Sequence, residues 1–158
     1  MARKVTLYLD TSIPNALFQE PEERRRKTEA FFQIALPRFE AFVSGLVLAE
    51  IEATPNEEER RRLSQAVNKF SVLPVSPEAE QLAEEYLKYL RIPRSDAVHI
   101  AVATVEGMNY LVTWNMGHMA KERTRRIVDN VNFLRALQRI FIVTPEDLLE
   151  EESHVDAG

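Results

Sequence analysis

Apolar positions along this chain recur with two different periods, and the points where the period changes mark its elements. Val5 to Leu9 is a short run of β-forming residues that stops at Asp10, after which Thr11 or Ser12 is placed to cap a helix whose first turn accepts Pro14. Residues 22–36 open with charges and continue with Ala30, Phe31, Ile34 and Ala35 at helical spacing, closed by Pro37. Ala41 to Val43 reads as a second strand. Ser44 then caps a helix carrying Leu46, Val47, Ala49, Glu50 and Ile51 before Pro55. A helical pattern over residues 56–70 is apolar at Leu63, Ala66, Val67 and Phe70, and Val72 to Val75 is extended, with Pro74 suited to an edge strand.

Ser76-Pro77-Glu78 combines a cap, a proline at the first helical position and a first-turn acid, and predicts a helix that buries Leu82, Ala83, Tyr86, Leu87 and Leu90. Ser95 to Glu106 forms the next helix, ended by Gly107, and Tyr110 to Trp114 is a strand that ends at Asn115. The last long helix is expected over Arg125 to Leu137 with Ile127, Val131, Leu134 and Leu137 turned inward, followed by the strand Phe141 to Val143 and a short helix opened by Thr144-Pro145. Strands separated by helical stretches long enough for crossovers predict an α/β fold, with a mainly parallel central sheet of four to five strands covered on both faces. At 158 residues the chain fits one domain, residues 1–150, followed by a disordered tail over 151–158.

Composition narrows the chemistry. No stretch of eighteen apolar residues occurs, and Met1-Ala2-Arg3-Lys4 runs straight into the first strand without a signal-peptide core, so the expectation is a cytoplasmic protein with no membrane association. The absence of cysteine excludes a disulfide framework, a thiol nucleophile and a thiolate metal site, which leaves oxygen or imidazole for any metal. A net charge of −5 disfavours indiscriminate binding to nucleic acid. Basic residues are nonetheless clustered, at Arg24 to Lys27, Arg60 to Arg62 and Lys121 to Arg126, where the plainest reading is a solvated helix face with opposite charges paired along it.

Three carboxylates stand where a core residue would be expected. Asp10 ends a strand, Glu50 sits inside Leu46-Val47-Leu48-Ala49-Glu50-Ile51, and Asp96 precedes the apolar run Ala97 to Ala103. Asp10 taken alone could be a helix cap, and Asp96 a first-turn acid complementing the helix dipole. Together they favour one shared site, because acids are rarely buried unless they are paired or bound to a metal, and like charges gathered at one place call for a divalent cation. Oxygen ligands without cysteine point to Mg²⁺ or Mn²⁺ and to phosphoryl chemistry on an anionic substrate. A haloacid-dehalogenase phosphatase would need a second acid where Ser12 stands, and a receiver domain would need an acidic pair and a late lysine that this chain does not show.

The segments Leu9-Asp10-Thr11-Ser12, Leu48-Ala49-Glu50-Ile51, Ser95-Asp96-Ala97-Val98-His99-Ile100-Ala101, Leu111 to His118 and Val143 to Leu149 occur in an order and spacing that resembles the PIN-domain ribonucleases, especially the VapC-like toxins. The resemblance implies a compact three-layer α/β/α fold that cleaves RNA with Mg²⁺ or Mn²⁺. Asp10, Glu50 and Asp96 take the positions of the family's catalytic, metal-holding acids, and Asn115 takes the fourth, usually an aspartate, as a subgroup trait of chains with a Trp-Asn pair. Thr11 and Ser12 are helix caps first and substrate contacts second. His118, Lys121 and Arg123 are further candidate substrate contacts, His99 is a core or supporting histidine, and Trp114 is strand packing. The implied function is an endoribonuclease, either the toxin of a type II toxin–antitoxin system or an orphan nuclease. The implied partners are RNA, a cognate antitoxin covering the site, and a second copy in a homodimer. The alternative is a catalytically weak or silent PIN fold serving as a binding module.

Overall fold

The computed structural model describes residues 4–150, so the expected tail over 151–158 lies outside the described residues. Five strands, β1 (Thr6–Leu9), β2 (Glu40–Ser44), β3 (Ser71–Leu73), β4 (Tyr110–Val112) and β5 (Phe141–Val143), form one sheet in the order β3-β2-β1-β4-β5. Every pairing is parallel, for example Tyr8 opposite Phe42 on one side and opposite Leu111 on the other. The expected strands are all present, and Pro74 follows β3 at the sheet edge, where a missing N–H leaves no ladder bond unmade. Leu7, Tyr8 and Leu9 are fully buried because β1 is central and covered on both faces.

The helices α1 (Ser12–Ala16), α2 (Glu22–Ala30), α3 (Gly45–Glu52) and α4 (Glu57–Val67) link the strands that progress from β1 to β3. Helices α5 (Pro77–Leu87), α6 (Arg94–Val105) and α7 (Glu122–Leu134) serve the return to β4 and β5. α1 packs on α2 and α4, and α3 on α4, while α5 packs on α6 and α7. Right-handed crossovers running in opposite directions from β1 place these two groups on opposite faces, and the order reverses at β1. The carboxyl end of β1 is therefore the switch point, where a crevice opens. α6 is buried without interruption from Ala97 to Thr104, as befits a helix enclosed on several sides.

Side-chain caps form at the starts of α3, α4 and α5. Ser44, Asn56 and Ser76 accept from the backbone N–H groups of Val47, Glu59 and Ala79. Thr144 and Asp147 exchange reciprocal side-chain to backbone bonds ahead of the helical residues 145–150. Three expectations need correction. The helix expected over 22–36 becomes a wider π turn at Phe31–Ala35 and a 3-10 turn at Leu36–Arg38, which turns Ile34 outward at 52% exposure while Phe31 and Ala35 stay buried. The last long helix lies three residues earlier than expected, because Ala136 takes a left-handed φ of +57° and Leu137 bonds back to the Asn132 carbonyl, a stop without the usual glycine. Leu134 consequently stands 82% exposed beside Phe133, and Val128 joins Val131 in the core.

Candidate active site

Asp10 leaves the sheet at the carboxyl end of β1, its backbone N–H still bonded to the Val112 carbonyl of β4. Its carboxylate is buried and fully engaged. Oδ1 accepts from the Ser12 backbone N–H at 3.1 Å and the Ser12 hydroxyl at 2.5 Å, and Oδ2 accepts from the Thr113 hydroxyl at 2.5 Å. Burial pushes the Asp10 carboxyl above the usual aspartate range, against the lowering effects of the His99 imidazole and of these hydrogen bonds. Ser12 therefore does not cap α1. Its hydroxyl serves Asp10 and also accepts from the Trp114 N–H at 2.9 Å.

Glu50 reaches the same place from α3. Its Oε1 accepts from the Thr11 hydroxyl at 2.7 Å and lies 2.6 Å from His99 Nε2. Thr11, like Ser12, orients an acid and makes no side-chain cap. The expectation that both residues act first as helix caps is thus corrected: α1 is only one turn entering the site, and the nearby carboxylates outcompete its N–H groups as partners. Burial raises the Glu50 carboxyl, but the hydrogen bonds from His99 and Thr11 and the electrostatic attraction of the His99 imidazole outweigh it, so Glu50 is held below the ordinary range. His99 is buried, and its Nδ1 lies 2.6 Å from the Tyr8 hydroxyl, which meets Ser44 Oγ at 2.7 Å. One arrangement of protons satisfies every member: Tyr8 donates to Nδ1, and Nε2–H donates to the ionised Glu50.

Asp96 stands in the first turn of α6, half-buried, and burial raises its carboxyl while His118 and the Asn115 amide oppose that shift. Asn115 Nδ2 donates to Asp96 Oδ2 at 3.0 Å, and His118 Nδ1 lies 3.2 Å from the same oxygen. The Asn115 Oδ1 accepts from the His118 backbone N–H at 3.0 Å, which fixes the amide orientation. Asn115 in this arrangement positions Asp96 as a donor and keeps its own oxygen for the turn that follows β4. Replacing it by aspartate keeps the turn acceptor but sets a second negative charge against Asp96. In EDTA, Asn115→Asp is expected to lower Tm by about 2–4 °C, corresponding to about 1 kcal/mol, and Mn²⁺ is expected to raise its Tm more than that of the wild type. Thermal unfolding followed by circular dichroism checks both.

Asp10, Thr11, Ser12, Glu50, Asp96 and Asn115 line one cavity of about 320 Å³, to which His99, Asn15 and Thr54 also contribute. Among the described residues no three His, Asp or Glu side chains close on each other tightly enough to enclose an ion by themselves. They face a common space instead, and that suits a hard cation that keeps several of its waters and takes few protein ligands. The acids offer oxygen donors, and Asp10 and Asp96 are raised by a burial that a cation would offset, so the residues fit a hard divalent cation.

His118 borders the site through Asp96. Lys121 and Arg123 do not line the cavity: Lys121 precedes α7, and an Arg123 guanidinium N–H points to the Tyr89 carbonyl at 3.5 Å. Nearness in sequence to Asn115 does not bring them into the cavity lining, although His118, three residues before Lys121, still reaches Asp96. Tyr8 and Thr113 support the acids without any signal in the sequence, and Ser44, read from the sequence as a helix cap, also meets the Tyr8 hydroxyl. Trp114 is buried packing, as expected, with its indole N–H donating to Thr28 Oγ1 at 2.9 Å.

Among solved structures, the fold is similar to that of VapC20 from Mycobacterium tuberculosis, a toxin that cleaves the sarcin-ricin loop. The two share 19% identity over 72% of this chain and 93% of the other, with a TM-score of 0.59. VapBC2 from Rickettsia felis, bound to a DNA fragment from its promoter, matches at 16% identity over 89% and 98% of the two chains with a TM-score of 0.59. DNA-bound VapBC from Salmonella typhimurium matches at 17% identity over 89% and 98% with a TM-score of 0.58. A search of curated protein sequences finds no match. The model of the PIN domain matches residues 7–116, a span that runs from β1 through all four of Asp10, Glu50, Asp96 and Asn115, and the chain belongs to the PIN domain family.

Proposed function

We propose that this chain is a metal-dependent endoribonuclease using Mg²⁺ or Mn²⁺, acting as the toxin of a type II toxin–antitoxin pair or as an orphan PIN nuclease. The observation that carries this reading is the convergence of Asp10, Glu50 and Asp96 from β1, α3 and α6 on one polar cavity at the switch point of the sheet. Asp10, Glu50 and Asp96 would hold the cation, which when bound supplies charge stabilisation at the phosphate and an acidified water. Asp10 is held rigidly by Ser12 and Thr113, so its geometry is set before substrate arrives. Glu50, kept ionised by His99 and Thr11 at the open side of the cavity, accepts the proton of the attacking water. Asn115 keeps Asp96 aimed at the cavity.

The likeness to VapC20 and to two VapBC assemblies supports RNA as substrate and an antitoxin as partner, and a homodimer follows from the same family reading. No helix among the described residues is long and apolar enough to cross a membrane. A cytoplasmic location is part of the proposal. The second reading, a weakly active or silent binding module, is favoured by one observation: the Asn115 oxygen already accepts from the His118 N–H.

Mixed RNA incubated with the chain in millimolar Mn²⁺ is expected to be cut, with the rate lowered by about a hundredfold or more in Glu50→Gln. Mn²⁺ at about a hundred times its Kd is expected to stabilise the native state by about 2.7 kcal/mol, which raises Tm by about 5–10 °C. A Tm rise without cleavage would favour the silent module. Absence of both would remove the metal reading altogether.

A further inference from the structure

Four consecutive cations follow Glu22 and Glu23 in α2, and three of them are committed to neighbours. Arg25 pairs with Glu20, Glu22 and Glu29, Arg26 with Glu22, and Lys27 with Glu23 and Glu146. Arg24 makes no ion pair among the described residues, although it is exposed. Its guanidinium lies instead over the Trp114 ring, 5.3 Å from the ring centroid. That position is built. The Trp114 indole N–H donates to Thr28 Oγ1, and the Thr28 hydroxyl donates to the Arg24 carbonyl at 2.7 Å, which ties the ring to the helix turn that carries Arg24. The Trp114 backbone N–H bonds to Ser12 Oγ, and Ser12 bonds to Asp10, so the arginine is linked to the acid site by fixed contacts.

Arg24 and Trp114 line a second cavity of about 290 Å³ that shares Ser12, Asn15 and Asn115 with the acid-lined one. Among the described residues, Arg24 is the one Arg or Lys lining either cavity. Glu20 also borders the second cavity, and its carboxylate faces Arg25 at 4.0 Å. An acidic crevice repels a polyanion, so a substrate that threads through it needs a cation beside it. A guanidinium with one face resting on an indole keeps its N–H edge free for a bidentate contact with phosphate.

We infer that the Arg24–Trp114 pair is a subsite for a phosphate of single-stranded RNA, adjacent to the phosphodiester addressed by Asp10, Glu50 and Asp96. The inference rests on the nuclease reading for its substrate and not for its geometry. Trp114 is the sole tryptophan of the chain and reports on the subsite directly. The full chain carrying Glu50→Gln, titrated with oligo(U) in millimolar Mn²⁺, is expected to show a change in Trp114 fluorescence on binding. Adding Arg24→Gln is expected to weaken binding about tenfold and to reduce the slope of log affinity against log salt by about 0.7, the contribution of one phosphate contact on a single strand. Arg24→Lys is expected to recover the salt slope but not the full affinity, since a lysine lacks the planar fork.

Unchanged affinity and slope in Arg24→Gln would overturn the subsite. So would a silent Trp114 signal, or an equal response to polyglutamate, which would assign the cation to an acidic peptide. The two proposals separate cleanly. Wild-type cleavage of RNA alongside an inert Arg24→Gln substitution removes the subsite and leaves the nuclease, whereas Arg24-dependent binding by a chain whose wild type cuts nothing removes the nuclease and leaves the subsite.

Discussion

Asp10→Asn is expected to lower RNA cleavage by about a thousandfold or more and, in the same protein freed of metal, to raise Tm. The loss follows from removing the most deeply buried ligand charge. The stabilisation follows from the fit of an amide in the same network: Oδ1 still accepts from the Ser12 N–H and hydroxyl, while Nδ2 donates to Thr113 Oγ1, whose own proton can turn toward Ser12 Oγ at 3.4 Å. Burial raises the Asp10 carboxyl, so the native state holds this proton more tightly than the unfolded chain does. Native stability therefore falls as pH rises from the unfolded aspartate value through the raised folded value, and the deficit is constant above it. The advantage of Asp10→Asn should vanish in acid and reach on the order of 1 kcal/mol near neutrality. Thermal unfolding in EDTA at neutral and acidic pH tests this, and a variant less stable than wild type near neutrality would sink the argument.

His99→Ala is expected to have the largest effect on stability, about 3 kcal/mol, because it opens a cavity and leaves two polar partners short. Tyr8 is left with Ser44 as its remaining side-chain partner, and Glu50 loses its His99 hydrogen bond. The Glu50 carboxyl then moves back up, since the interactions that outweigh its burial are mostly those of His99. The acid limb of the pH–rate profile should accordingly shift to higher pH. His99→Gln, which can keep a donor for Glu50, should lose less stability and show a smaller shift. A profile identical to wild type in both variants would make His99 a packing residue alone.

Much of the fold could be read along the chain because the local signals agree. Ser76-Pro77 and Asn56 start helices where their side chains cap them, and Pro74 marks an edge strand. The misplaced elements are those whose boundary depends on contacts elsewhere. Ala136 in the left-handed region carries no glycine signal, so α7 was expected three residues late, and the π turn at Phe31–Ala35 has no local marker at all. At the site, strand-end position and an apolar neighbourhood were enough to single out Asp10, Glu50 and Asp96. Lys121 and Arg123 are near Asn115 in sequence yet outside the cavity lining, whereas Arg24 lies on a helix ninety residues before Trp114 and meets it only in space.

The sequence by itself determined the class of fold and pointed to three acids that the fold gathers at one cavity. Hydrophobic period and capping chemistry are local properties, and a carboxylate inside an apolar run is conspicuous wherever the chain goes. Only the tertiary structure decided what each acid's partners are: that Thr11 and Ser12 turn from capping to orienting, that Asn115 donates to Asp96, that His99 joins Tyr8 to Glu50, and that Arg24 rests on Trp114 beside the crevice. The physical reason is that hydrogen bonds act over about 3 Å. Which donors come within that distance of an acceptor is set by how the strands and helices pack, and no spacing along the chain contains it.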